Sequence, residues 1–165
     1  MASMYSDSRS HTNEHVHTLP QVMSFAEGHF TLFEPLKGNV HDTAIYAKLE
    51  ACLKNGGPNH TLLPVDDYKG ELLWETARDV EKFPDTPGAR VGSIKYHYDA
   101  ANGIVSIDYI SIDDGKSYDV DEAMKALLSF FIKCIAEIYP VFYLESPYGL
   151  TSFFKQFGFI ELDPS

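Results

Sequence analysis

Two cysteines, one tryptophan and 13 basic residues are all that this chain of 165 residues holds of those types. Nor does any apolar run in it approach the ~20 residues of a membrane-spanning helix. Each shortage excludes something. Two cysteines cannot build a disulfide framework, and Cys52 and Cys134 both fall on apolar helical stripes, where they read as buried free thiols. Thirteen Lys and Arg against 24 Asp and Glu leave a formal charge of -11 and a pI near 4.9. That balance speaks against nucleic acid as a partner, because phosphate binding draws its energy from basic residues that release counterions. The N-terminus is polar and lacks the apolar stretch of a secretory signal, so no membrane association and a cytoplasmic location are expected. An acidic surface suits a basic protein partner or a cationic amine, and equally serves solubility alone.

What is present is globular. Apolar residues make up 44% of the chain and aromatics 13%, with 11 Phe and 10 Tyr. A single domain of this length buries roughly two thirds of the surface its unfolded chain exposes. Residues 1–23 are rich in Ser, His, Thr and Asn and read as a flexible arm, which leaves 24–165 as the folded domain. Met1-Ala2-Ser3 ahead of Met4 has the look of a cloning remnant.

Alternation over His29–Phe33 predicts a first strand. A helix follows, with Asp42 as its cap, Ile45, Leu49, Cys52 and Leu53 as its stripe, and Gly56-Gly57-Pro58 as its stop. A second helix is expected from Asp66 to Lys82, with Leu72, Leu73, Thr76, Ala77 and Val80 on one face, although Gly70 sits poorly in it. Ile94, Tyr96 and Tyr98 alternate with Ser93, Lys95 and His97, and Ala100-Ala101-Asn102-Gly103 turns them into the run Ile104–Ile112. The helix Asp121–Tyr139 carries Met124, Leu127, Leu128, Phe131, Ile135 and Ile138, Pro140 ends it, and Val141–Ser146 is a buried strand. These elements make a mixed α/β (α+β) domain around one central sheet.

Several local motifs carry little. His11-Thr12-Asn13-Glu14-His15, with His17 nearby, fits an inverted zinc-peptidase pattern but lies in the polar arm without the catalytic helix, so no metal is expected. Gly115-Lys116-Ser117 resembles the end of a P-loop whose first glycine would fall on Ile110. The acids from Asp113 to Glu122 miss calcium-loop spacing and read as a helix start with Asp119 as cap. Asn59-His60-Thr61 matches a glycosylation acceptor by chance, and the two cysteines and scattered histidines form no catalytic arrangement. Trp74 reads as core, as do Phe153, Phe154, Phe157 and Phe159, which would otherwise form a partner surface.

From Gly92 onward the strand, helix, strand and Phe153-Phe154-Lys155-Gln156-Phe157-Gly158-Phe159 resemble the second half of the Gcn5-related N-acetyltransferase (GNAT) fold. The resemblance implies a mostly antiparallel mixed sheet flanked by helices. It also implies an Arg/Gln-x-x-Gly-x-Gly/Ala loop whose backbone N–H groups receive a cofactor pyrophosphate at a helix N-terminus. Asp119 stands in the Arg/Gln place, Glu122 in that of the first glycine and Met124 in that of the second. Phe154 replaces the tyrosine that serves as general acid, and Pro147 an asparagine that contacts the cofactor.

The frame therefore predicts a GNAT-like protein with a degenerate acetyl-CoA site and no cofactor. It would bind a protein partner, possibly basic, through Asp113, Asp114, Asp119, Asp121 and Glu122, as an inhibitor, adaptor or regulator. The alternative is an acetyl-CoA-dependent N-acetyltransferase with an atypical phosphate loop. Asp108 would then be the base, Tyr148 the acid (Tyr118 and Tyr143 being other candidates), and Ile110, Ile112, Gly115 and Lys116 the cofactor contacts. A third expectation is an oligomer-forming protein with an apolar surface shared between subunits.

Overall fold

The computed structural model describes residues 1–9, 28–35, 39–56, 59–64, 70–76, 90–112 and 120–162. Among the described residues eight strands form one sheet: β1 Ala2–Asp7, β2 Gly28–Glu34, β3 Asn59–Pro64, β4 Gly70–Thr76, β5 Arg90–Asp99, β6 Ile104–Ile112, β7 Val141–Ser146 and β8 Ile160–Glu161. Their spatial order is β3-β2-β4-β5-β6-β7-β1-β8. β2 with β3 and β6 with β7 are parallel, and the remaining neighbours are antiparallel. Among the described residues the helices are α1 Val40–Gly56, α2 Val120–Ile135 and the short α3 Thr151–Lys155, which follows a 3-10 turn at Tyr148–Leu150. The architecture is the expected mixed α+β domain with a mostly antiparallel sheet.

Register places Leu32, Leu72, Ile94 and Ile110 in one row across β2, β4, β5 and β6. The first three are fully buried, and Phe30, Tyr96, Val105 and Ile107 share their face. Both long helices cover that face. Phe130 of α2 meets Phe30 at 5.6 Å, Phe131 meets Tyr96 at 5.4 Å, and His41 of α1 stacks on Tyr98 at 4.3 Å. Ile45, Leu49 and Leu53 of α1 are buried with Leu127, Leu128 and Ile135 of α2, as their helical spacing predicts, whereas Ile138 is exposed beyond the end of α2. The phenylalanines at 153, 154, 157 and 159 join the same buried cluster as Met4, Phe142 and Leu144, which is the core role expected of them.

Beyond strand β3, which was not expected, four departures from the sequence reading stand out. Ala2–Asp7 is no arm but strand β1, with Ala2, Met4 and Ser6 buried on alternate positions. Its small and polar residues concealed a period of two. The segment 70–76, expected inside a helix, is strand β4, pinned between β2 and β5. The run Leu72-Leu73-Trp74 satisfies either period, and pairing on both edges decides for the strand. The rest of that expected helix lies outside the described residues, as does the His11–His17 motif. Helix α1 is capped by Asn39, whose Oδ1 accepts the N–H groups of His41 and Asp42 at 2.9 and 3.3 Å. Asp42 itself turns inward.

The fourth departure is chemical. Cys52 and Cys134 are joined in a disulfide between α1 and α2, with Cα atoms 6.5 Å apart and a sequence separation of 82. The helical stripes on which they were read as separate thiols are the two that face each other. The Lys48–Glu137 ion pair ties α1 to the turn that follows α2. Such a cross-link persists in oxidising surroundings and opens in reducing ones. No helix among the described residues is long and apolar enough to cross a membrane.

Candidate functional site

The β5–β6 hairpin turns at Ala100–Gly103. Asp99 accepts the N–H groups of Ala101 and Asn102 and the Asn102 side-chain amide through its carboxylate. Its carbonyl accepts the N–H of Gly103 at 2.8 Å, and Gly103 takes a φ of 68°, which a side chain would strain. With Asp99 opposite Ile104, the register sets His97 opposite Ser106 and Lys95 opposite Tyr109. Between those pairs the ladder slips: Tyr96 faces Ile107, and Asp108 is the extra residue of a bulge. The slip also turns Asp108 and Tyr109 away from the helices, because the covered positions run Val105, Ile107 and then Ile110.

The side of these strands turned away from α1 and α2 carries a polar constellation. Asp108 Oδ2 lies 2.6 Å from His97 Nδ1, and Asp108 Oδ1 accepts the Ser106 hydroxyl at 2.9 Å. The His97 and Asp108 side chains keep 34% and 17% of their surface. With Nδ1 donating to the carboxylate, Nε2 is the nitrogen left to accept a proton, and Asp108 orients the ring instead of acting alone. Next to Ser106 stands Tyr143 of β7, whose hydroxyl lies 3.1 Å from Ser3 Oγ and 3.2 Å from Glu145 Oε1. Lys95 Nζ sits 5.9 Å from the centre of the half-exposed Tyr109 ring.

At this level the sheet divides. β6 and β7 pair over three residues, from Val105–Phe142 to Ile107–Leu144, and the ladder ends where Asp108 bulges. Beyond it β6 runs on to Ile112 beside β5 while β7 stays with β1.

On the helix-covered side a second polar group locks elements together. Buried Asp42 accepts the Tyr98 N–H at 2.7 Å. Burial pushes its carboxyl pKa up, and the Tyr98 hydrogen bond opposes part of that rise. His41 Nδ1 lies 2.9 Å from the Tyr139 hydroxyl, and the Tyr98 and Tyr139 rings are 4.6 Å apart. Deeper in, the Tyr96 hydroxyl has no hydrogen-bond partner among the described residues, and burial drives its pKa far upward. Its ring lies against Gly70, where a Cβ would meet ring carbon Cζ at a separation no side chain tolerates.

The residues predicted from sequence do not gather. Asp108 is in the constellation just described, together with His97 and Ser106, which sequence reasoning set aside. The hairpin register, counted outward from the turn, was the signal that pairs them. Ile110 and Ile112 are half-buried on β6 opposite Ile94 and Gly92 and pack against the core. Tyr148 is 71% exposed in the 3-10 turn after Pro147. Phe154 is buried, edge-on to Phe153 and Phe159. Asp121 is exposed in the first turn of α2, where Glu122 follows it. Asp113, Asp114, Gly115, Lys116, Tyr118 and Asp119 lie outside the described residues.

No family model and no curated protein matches the chain. Among solved structures, L-PGS from Bacillus licheniformis is similar over 97% of this chain and 57% of its own, at 12% identity and a TM-score of 0.51. A functionally unknown conserved protein from Staphylococcus epidermidis ATCC 12228 matches over 98% of this chain and 57% of its own, at 8% identity and a TM-score of 0.47. The chain thus spans just over half the length of each. The first likeness is one of fold alone.

Proposed function

We propose that the chain is a GNAT-like domain that has given up acetyl-CoA chemistry and acts by binding a basic protein partner. The observation that carries this reading is the start of α2, where Asp121 and Glu122 occupy the first turn. A helix N-terminus attracts anions through its unpaired N–H groups. The exposed Asp121 carboxylate there favours the helix and opposes a pyrophosphate, since like charges a few ångströms apart repel. Phe154 supports the same reading, being a packed core ring with no proton to give. Titration calorimetry with acetyl-CoA and free CoA, repeated as thermal shift, tests it, because a ligand of the folded state raises stability. No binding at millimolar cofactor is expected, and micromolar binding would overturn the reading. The double variant Asp121→Asn/Glu122→Gln is expected to weaken the partner complex, chiefly through its association rate.

A second reading, an N-acyltransferase with an unusual phosphate loop, is favoured by one observation. His97, Asp108 and Ser106 are hydrogen-bonded together where β6 parts from β7. In this reading His97 accepts the proton of a bound amine, Asp108 orients it, and the β6 backbone from Ile110 to Ile112 contacts the acyl carrier. Asp108→Asn would then lower turnover by roughly 10²–10⁴-fold with cofactor affinity unchanged.

A further inference from the structure

The surroundings of Cys52 and Cys134 suit the oxidised and the reduced pair alike. Cys134 is buried on α2, whereas Cys52 is half-buried on α1 with Ala51, Lys54 and Asn55 exposed around it. A reductant therefore meets the bond at the Cys52 sulfur. Cys134 Sγ lies 3.4 Å from the Lys48 carbonyl oxygen. A disulfide sulfur has no proton to donate and a thiol has one, so this acceptor is in place for the reduced form.

The bond also falls where α1 is otherwise least held. Up to Ile45 the helix has anchors that owe nothing to it: the Asn39 cap, the Asp42 carboxylate on the Tyr98 N–H and the His41 ring on the Tyr139 hydroxyl. Beyond Ile45, buried Leu49 and Leu53 are joined only by the disulfide and the Lys48–Glu137 pair among the described side chains. Solvent-facing ion pairs of that kind hold little. Three residues past Gly56 comes β3, an edge strand paired with β2 alone among the described residues. A helix end that runs into a sheet edge is where local opening costs least. Helix α2 lies over the middle of the sheet, with Phe131 on Tyr96 and Phe142. The disulfide thus ties the margin of the fold to its centre.

We propose that Cys52–Cys134 is a reversible redox latch: a dithiol reductant opens it from the Cys52 side, and the C-terminal half of α1 with β3 then loosens from α2 while the rest of the fold stays closed. One thiolate of the reductant attacks Cys52 Sγ. The S–S bond breaks, and Cys134 leaves as a thiolate that takes up a proton and donates it to the Lys48 carbonyl in a hydrogen bond. The reductant's second thiolate displaces Cys52, which is protonated in turn. Two electrons have then passed to the protein, and the reductant departs as its own disulfide.

The unaltered chain is equilibrated without denaturant in mixtures of reduced and oxidised dithiothreitol, then read by alkylation with mass spectrometry and by amide hydrogen exchange. Both thiols are expected to appear in the folded chain and to vanish again when the mixture is made oxidising. Brief alkylation of the reduced form should label Cys52 before Cys134. Amides of 49–56 and 59–63 should exchange about tenfold faster after reduction, with those of 94–98 and 127–132 changed less than about twofold. A bond that opens only in denaturant, first labelling at Cys134, or faster exchange spread evenly over the sheet overturns the proposal. So does equal exchange in the two forms. The Cys52→Ser chain separates the bond from the buffer: its amides should match the reduced form with or without dithiothreitol, and a response to the reductant counts against the latch.

Discussion

Strands β5 and β6 show different chemistry on their two sides. Towards the helices stand Ile94, Tyr96, Val105 and Ile107, each at most 4% exposed. On the other side stand Lys95, His97, Ser106, Asp108 and Tyr109, joined by hydrogen bonds and a cation–π contact. One pair of strands supplies stability from one set of alternate residues and reactive groups from the other. The bulge at Asp108 is where the alternation is broken in favour of the second set. The lesson is that the two properties should be separable by mutation, and variants at four sites test that separation.

The largest effect belongs to the covered side. Phe131→Ala removes a ring packed on Tyr96 and Phe142 and is expected to lower unfolding free energy by about 3–5 kcal/mol in urea titration. A loss below ~1 kcal/mol would mean that α2 does not hold this face. Next comes the cross-link between the helices. Under oxidising conditions Cys52→Ser/Cys134→Ser should cost ~2–4 kcal/mol, since the bridge closes a long loop in the unfolded chain. An unchanged midpoint would show the helices to be held by packing alone.

Asp42 gives a smaller effect with a pH signature. Asp42→Ala leaves the half-buried Tyr98 N–H without its acceptor, at about 1–3 kcal/mol. The Asp42 pKa is raised on folding, so the folded state holds this proton more tightly than the unfolded one. Its contribution is therefore fully present below the ordinary carboxylate pKa and is lost as pH rises through the folded value. Asp42→Asn should flatten that part of the stability–pH curve, and an unchanged slope would place the titration elsewhere. Smallest of all, His97→Ala on the side away from the helices is expected to shift stability by no more than ~0.5 kcal/mol. A larger loss would erase the distinction between the two faces.

What was legible in the sequence follows the distance over which each feature is decided. The hairpin from Tyr98 through Gly103 to Val105 and the stripe of α2 are set by neighbours a few residues apart, and both were readable. So was β7, bounded by Pro140 and Pro147. Even the bulge left a trace, since the apolar positions Val105, Ile107, Ile110 and Ile112 skip a step. The features settled by remote partners were not. Leu72-Leu73-Trp74 becomes a strand because β2 and β5 flank it, and Ala2–Asp7 does so because β7 lies open to it. Cys52 and Cys134 meet only after two helices have docked. Of the candidate site, Asp108 was found and its partner His97 was missed, because the link between them is the hairpin's register.

The ring of Tyr96 fills the space where a side chain at position 70 would begin. In evolutionary terms this makes the two positions a single character. While a large aromatic occupies 96, selection holds 70 at glycine, and only descendants that first shrink residue 96 can accept a bulkier one at 70. Related sequences should therefore change at these two sites together and in that order, leaving a record of the β4–β5 contact that could be read without any structure.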